Sequence, residues 1–137
     1  MDIIKMTREL AKAVIADEIY IKYKNTKAEV DGDGTLGAKL AELENVRTLY
    51  YSAQEGDDPD PAAAHAAEAR FGELYEEIML NEKMKAYNFA RSELDELMSR
   101  VVGILNMSVN GADPDTCEPE LVPGGCSGEC GGCGGCG

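Results

Sequence analysis

Apolar residues recur along this chain at steps of three, four and seven: Ile3, Met6, Leu10, Val14 and Ile21, then Leu36, Leu40, Leu43, Val46 and Tyr50. Such steps line one face of an α-helix, whereas a half-buried strand alternates every second residue, and no stretch here alternates convincingly. A third set, Phe71, Leu74, Tyr75, Ile78 and Met79, follows Asp60-Pro61, which reads as an N-cap with proline in the first helical position. A fourth runs through Tyr87, Leu94, Met98, Val101 and Leu105. The breaks are Asp31-Gly32-Asp33-Gly34, the run from Gly56 to Pro61, a cap at Asn81, and Asn110-Gly111-Ala112-Asp113-Pro114. The pattern predicts helices near residues 2–29, 35–54, 61–80 and 82–107. Long stripes flanked by Glu, Lys and Arg suit helices packed side by side, so the expected fold is all-α, an antiparallel bundle of about four helices.

The core of such a bundle is thin. The chain has no Trp and only two Phe, and about a hundred residues of these helices bury limited apolar area. A second protomer or a paralogous helical partner is therefore expected to cover one stripe.

Charge is divided unevenly. Residues 1–100 hold all 13 Lys and Arg against 21 Asp and Glu, a net of −8, and residues 101–137 add five carboxylates and no cation. Nucleic-acid affinity comes largely from cations that neutralise phosphates, so direct RNA or DNA binding is disfavoured, as is an anionic membrane surface. The opening Met1-Asp2-Ile3-Ile4-Lys5-Met6-Thr7-Arg8 has no continuous apolar run and is neither a signal peptide nor a membrane span. A cytoplasmic protein is expected. In that reducing compartment clustered cysteines are more often metal ligands or catalytic thiols than disulfides, and the odd count of five fits a paired framework poorly.

Composition divides the chain into a helical domain, 1–107, and a Gly/Cys-rich tail, 108–137, spaced Cys117-x8-Cys126-x3-Cys130-x2-Cys133-x2-Cys136. Closely spaced thiolates let a short loop wrap a metal, and the intervening glycines free backbone N–H groups to donate to sulfur. Cys126, Cys130, Cys133 and Cys136 are the expected ligands, with Cys117 as a spare or exchangeable one. Four soft donors suit a [4Fe-4S] cluster or tetrahedral zinc, and spacing does not separate the two. A segment so poor in apolar residues cannot fold by burial, so the tail is expected to be disordered without metal and ordered with it.

Two patterns in the helical part carry a family resemblance. Asp2-Ile3-Ile4, Arg8-Glu9-Leu10-Ala11-Lys12-Ala13-Val14 and Tyr20-Ile21-Lys22-Tyr23-Lys24 look like the first helix of the YlbF/YmcA family of bacterial regulators. The stretch from Asn81 to Tyr87, continued by Glu93-Leu94-Asp95-Glu96-Leu97-Met98 and Val101-Val102-Gly103-Ile104-Leu105, is similar to that family's closing helix. The resemblance covers roughly residues 1–107. It implies a non-enzymatic, oligomerising regulator or adaptor that works through protein partners, among them a helical paralogue and an endoribonuclease complex built on RNase Y. It also implies association with iron-sulfur clusters, which favours [4Fe-4S] over zinc in the tail. The cysteine-dense tail and the alanine-rich stretch Pro61-Ala62-Ala63-Ala64-His65-Ala66-Ala67 depart from the family pattern and leave the pathway open.

Other chemistries fit less well. Cys126-x3-Cys130-x2-Cys133 has radical-SAM spacing, but Gly132 replaces the expected aromatic residue and no barrel follows. A thiol oxidoreductase needs a thiolate stabilised by a nearby cation or a helix N-terminus, and the local sequence supplies Glu129 and no cation. His65 is the only histidine and sits among alanines, as a surface or packing residue. The Asp31-Gly32-Asp33-Gly34-Thr35 loop with Glu42 partly mimics a calcium loop, yet Leu36 stands where the sharp turn requires Gly, so a helix–helix turn capped by Asp33 or Thr35 is the better reading. Two further functions stay open: a precursor of a ribosomally made modified peptide, with Cys126–Gly137 as core after the Gly124-Gly125 boundary, and a zinc or copper carrier.

Overall fold

The computed structural model describes residues 1–121, which form five α-helices with no strand among the described residues: α1 (Ile3–Ala16), α2 (Glu18–Asp31), α3 (Gly34–Gln54), α4 (Pro61–Leu80) and α5 (Glu82–Val109). The all-helical expectation holds, and the expected helices at 35–54, 61–80 and 82–107 correspond to α3, α4 and α5. The expected first helix at 2–29 is instead two helices. Asp17 interrupts it: its backbone is extended, at φ −72° and ψ 146°, its N–H donates to the Val14 carbonyl, and its carboxylate accepts from Ile19 N–H at 2.8 Å. One residue thus ends α1 and caps α2, the competition for backbone groups that keeps Asp out of helix interiors.

The other starts follow the same chemistry. Asp2 accepts from Ile4 and Lys5 N–H, Asp33 from Leu36 N–H, Asp60 from Ala63 N–H, and Asn81 from Lys83 and Met84 N–H, all within 2.9–3.2 Å. Each cap satisfies orphan donors in the first turn and contributes about 1 kcal/mol.

The described chain divides into two compact units, Met1–Arg91 and Ser92 onward. In the first, α3 and α4 form the principal helix pair. Their later and earlier residues meet, Lys39 with Glu77 at 3.2 Å and Glu42 with Arg70 at 2.8 Å, which makes the pair antiparallel. Val46, Ala67 and Leu74 are buried between them, with Leu43, Tyr50 and Phe71 packed against that cluster. A second cluster, Val30, Leu36, Ile78 and Met84, joins the end of α2, the start of α3, the end of α4 and the start of α5. Leu36 and Leu74 are each 1 % exposed, and burying such a side chain stabilises by roughly 2 kcal/mol. The alanine-rich start of α4 has a packing role: Ala64 and Ala67 are buried, where small side chains let α3 approach closely.

In the second unit α5 ends in a glycine turn. Gly111 has φ +101°, Gly111 N–H donates to the Ser108 carbonyl, and Ala112 N–H donates to the Met107 carbonyl. This pair of bonds is the Schellman arrangement, and the positive φ is what reserves the position for glycine. The chain then runs back along α5.

Candidate functional site

The residues after that turn form a strap on α5. Asp113 opens it, its carboxylate accepting from Asp115 N–H and its carbonyl from Thr116 and Cys117 N–H. Arg100 then holds Glu118 through one guanidinium nitrogen that lies 2.9 Å and 2.8 Å from its two carboxylate oxygens. Both partners are at least half exposed, so the pair contributes at most about 1 kcal/mol and mainly sets position. Close packing adds to it. A Cβ built on Gly103 would lie 2.5 Å from Pro119 Cβ, so glycine in mid-helix is the seat of the proline ring.

Cys117 lies inside this strap. Its Sγ is 3.8 Å from Ser108 Oγ and 3.9 Å from the Ile104 carbonyl oxygen, and the residue is half-buried as a free thiol. A thiol turned onto a helix carbonyl is a weak donor there. Cys126, Cys130, Cys133 and Cys136, the other expected ligands, lie outside the described residues. Among the described residues, no three His, Cys, Asp or Glu side chains converge as a metal site.

The calcium-like loop is a helix junction. Asp33 receives the Leu36 N–H and lies 3.1 Å from Lys83 Nζ, and these two bonds, the backbone one foremost, hold its carboxyl below the usual carboxylate range. On the α3–α4 pair, Arg70 bridges Glu42 and Glu73, whose hydrogen bonds raise its guanidinium further above its ordinary value. His65 is exposed at the rim of an open groove lined by Tyr50, Pro59, Pro61 and Glu68.

The largest feature that sequence reading only partly anticipated is apolar surface facing outward. No residue of α1 is buried, and Ile3, Met6 and Leu10 are 74 %, 53 % and 43 % exposed. On α5, Met98, Val102, Leu105 and Val109 follow at steps of four, three and four, all exposed. Stripes with that spacing share the pattern of helices packed side by side. The stripes were legible as helix faces; which of them the chain leaves uncovered was not.

A family model described as "Control of competence regulator ComK, YlbF/YmcA" matches residues 3–110. The chain belongs to the YlbF/YmcA family. Among solved structures, this YlbF/YmcA chain is similar to Bacillus subtilis RicA, crystallised in complex with RicF: TM-score 0.68, 19 % identity, covering 77 % of this chain and 91 % of that one. At that identity the likeness shows the fold. Comparison with curated proteins gave no match. No helix among the described residues is long and apolar enough to cross a membrane.

Proposed function

We propose that this chain is a non-enzymatic regulatory adaptor that acts by binding other proteins, including a helical partner and an RNA-processing endoribonuclease complex. The observation that carries this reading is the family match over residues 3–110 together with the outward apolar seams of α1 and α5. Contiguous exposed apolar faces of that kind are a mark of protein interaction sites. The crystallised complex of RicA with RicF supports another protein as the kind of partner. The acidic surface fits the same reading, because an adaptor of net charge −13 acts on RNA through the nuclease it binds.

The tail completes the proposal. Cys126, Cys130, Cys133 and Cys136 would hold an iron-sulfur cluster, [4Fe-4S] in type, with zinc as the competing occupant and Cys117 as an exchangeable fifth thiol. When bound, such a group supplies a redox-sensitive centre. The chain's own contribution is the strap, which holds residues 113–119, the first part of the tail, on α5.

Two experiments test this. Deleting the gene in its native host and mapping RNA ends should shift endonucleolytic cleavage patterns, with the wild-type gene restoring them; unchanged cleavage overturns the RNA-processing role. Anaerobic purification with iron, sulfide and zinc measured on one sample should give equal iron and sulfide with a broad visible band. Zinc alone would make the tail a structural or transfer site. Cleavage after Gly125 or heterocyclised cysteines, read by mass spectrometry, would replace both with a peptide precursor.

A further inference from the structure

The groove beside His65 is built by the connection between α3 and α4 and lies apart from the outward stripes of α1 and α5. Tyr50 and Ala53 line it from the end of α3, Pro59 from the loop, and Pro61 and Ala64 from the start of α4. Gly56, at φ +99°, turns the chain out of α3, and Asp60 N–H donates to the Ala53 carbonyl at 2.9 Å, which ties the loop back onto the helix it left. Pro59 and Pro61 fix two further φ angles. The lining is therefore preorganised, which lowers the ordering cost of binding there. Its volume, about 360 Å³, is at the lower end for binding clefts and gives room for a few side chains rather than for a helix face.

Charge decides what fits. Between Arg47 and Arg70 the chain has no Lys or Arg, while Glu55, Asp57, Asp58, Asp60 and Glu68 all fall in that interval. Elsewhere carboxylates find cations: Glu42 with Arg70, Glu77 with Lys39, Asp33 with Lys83. Beside the groove, Asp60 is occupied as the cap of α4, and among the described residues none of Glu55, Asp57, Asp58 or Glu68 pairs with a cation. Arg47, at the edge of the interval, is engaged by Glu44 at 3.6 Å and by the Tyr51 ring. An apolar lining next to unpaired carboxylates complements a ligand that carries apolar side chains and positive charge together.

We infer that this groove docks a short extended segment of a partner protein, one that places Lys or Arg beside proline or another apolar residue. Proline and tyrosine rings suit an extended segment, whose backbone needs no partner strand, and the carboxylates draw its cations with a strength that falls as salt rises. The inference rests on the adaptor reading for the existence of such a partner and adds the surface and the chemistry of the contact.

The probe is a fluorescein-labelled peptide, Ala-Pro-Pro-Leu-Pro-Arg-Lys-Arg-Ala, titrated with the full chain and followed by fluorescence anisotropy beside a copy with Gln at the three basic positions. The basic peptide should bind saturably, more weakly at raised salt, and about tenfold more tightly than its Gln copy. Glu55→Gln/Glu68→Gln should weaken it about fivefold, whereas Glu29→Gln/Glu96→Gln, which removes the same charge at exposed positions away from the groove, should change it by less than about twofold. His65 is the only histidine, so its imidazole C–H proton signals report on the groove alone and should shift as the peptide saturates the wild-type chain. Absence of binding overturns the inference, as do equal losses in the two double variants, which mean attraction to the net charge of −13 alone. Binding that leaves the His65 signals unmoved overturns the groove as the site. Spermine that binds as tightly and gives the same His65 shift overturns the peptide as occupant. Unchanged RNA cleavage patterns in the gene deletion would strike the RNA-processing role and leave these binding results as they are.

Discussion

The α3–α4 pair and helix α1 have the same raw material, an amphipathic stripe beside charged residues, and put it to opposite uses. In the pair, Val46, Ala67 and Leu74 are buried and an Arg70–Glu42 bond ties the helices together. In α1, every residue is at least partly exposed, although Ile3, Met6 and Leu10 repeat at the same spacing. Spacing alone therefore marks a face that must be covered but not what covers it. The α3–α4 pair buries its apolar face and stabilises the fold, whereas α1 and distal α5 leave theirs exposed.

The largest effect should come from the covered region. Leu74→Ala leaves a cavity between α3 and α4 and is expected to cost about 2–5 kcal/mol, read from the denaturant midpoint. Leu10→Ala should cost under about 0.5 kcal/mol in dilute protein, the size of an ordinary surface change. Similar losses for both would erase the distinction between the two regions.

Next comes the strap. Gly103→Ala improves helix propensity by about 1 kcal/mol yet drives a methyl into Pro119, an overpacking that costs roughly 1–3 kcal/mol. Helix content should hold while alkylation at Cys117, followed by peptide mass spectrometry, rises several-fold. Unchanged labelling would mean that Pro119 does not keep Cys117 on α5.

Smaller still is the cap at Asp33. Replacement by Ala should lose about 1 kcal/mol through the orphaned Leu36 N–H, while Asn keeps most of the cap. The carboxyl is held below its unfolded value by the Leu36 N–H and then by Lys83, so its ionised form contributes stability above the usual carboxylate range. That contribution is lost as pH falls through the lower folded value. The stability gap between wild type and Asp33→Asn should therefore close on acidification; a gap constant with pH would remove the charge from the account of this junction.

Much of this was legible in the sequence for one physical reason: Asp33, Asp60-Pro61 and Asn81 announce helix starts by side-chain chemistry that acts locally. The break at Asp17 was not, because the apolar steps continue across it and neither Gly nor Pro marks it. The signal was Asp itself, which in this chain caps nearly every helix. The strap was hidden for a different reason, since Gly103 meets Pro119 only through the turn at Gly111. A glycine inside a strongly helical stretch was the available hint. The tail cysteines were read from spacing and rest on it, being outside the described residues, whereas Cys117 packs on α5.

Amide hydrogen exchange of the full chain at low and high protein concentration tests the contrast between the two regions most directly. Protection in α3 and α4 should be independent of concentration, while protection in α1 and in residues 92–109 of α5 should rise as the chains associate. Protection in α1 that is the same at both concentrations, in a range where light scattering shows association, would contradict the proposed role of α1 as a protein-binding surface.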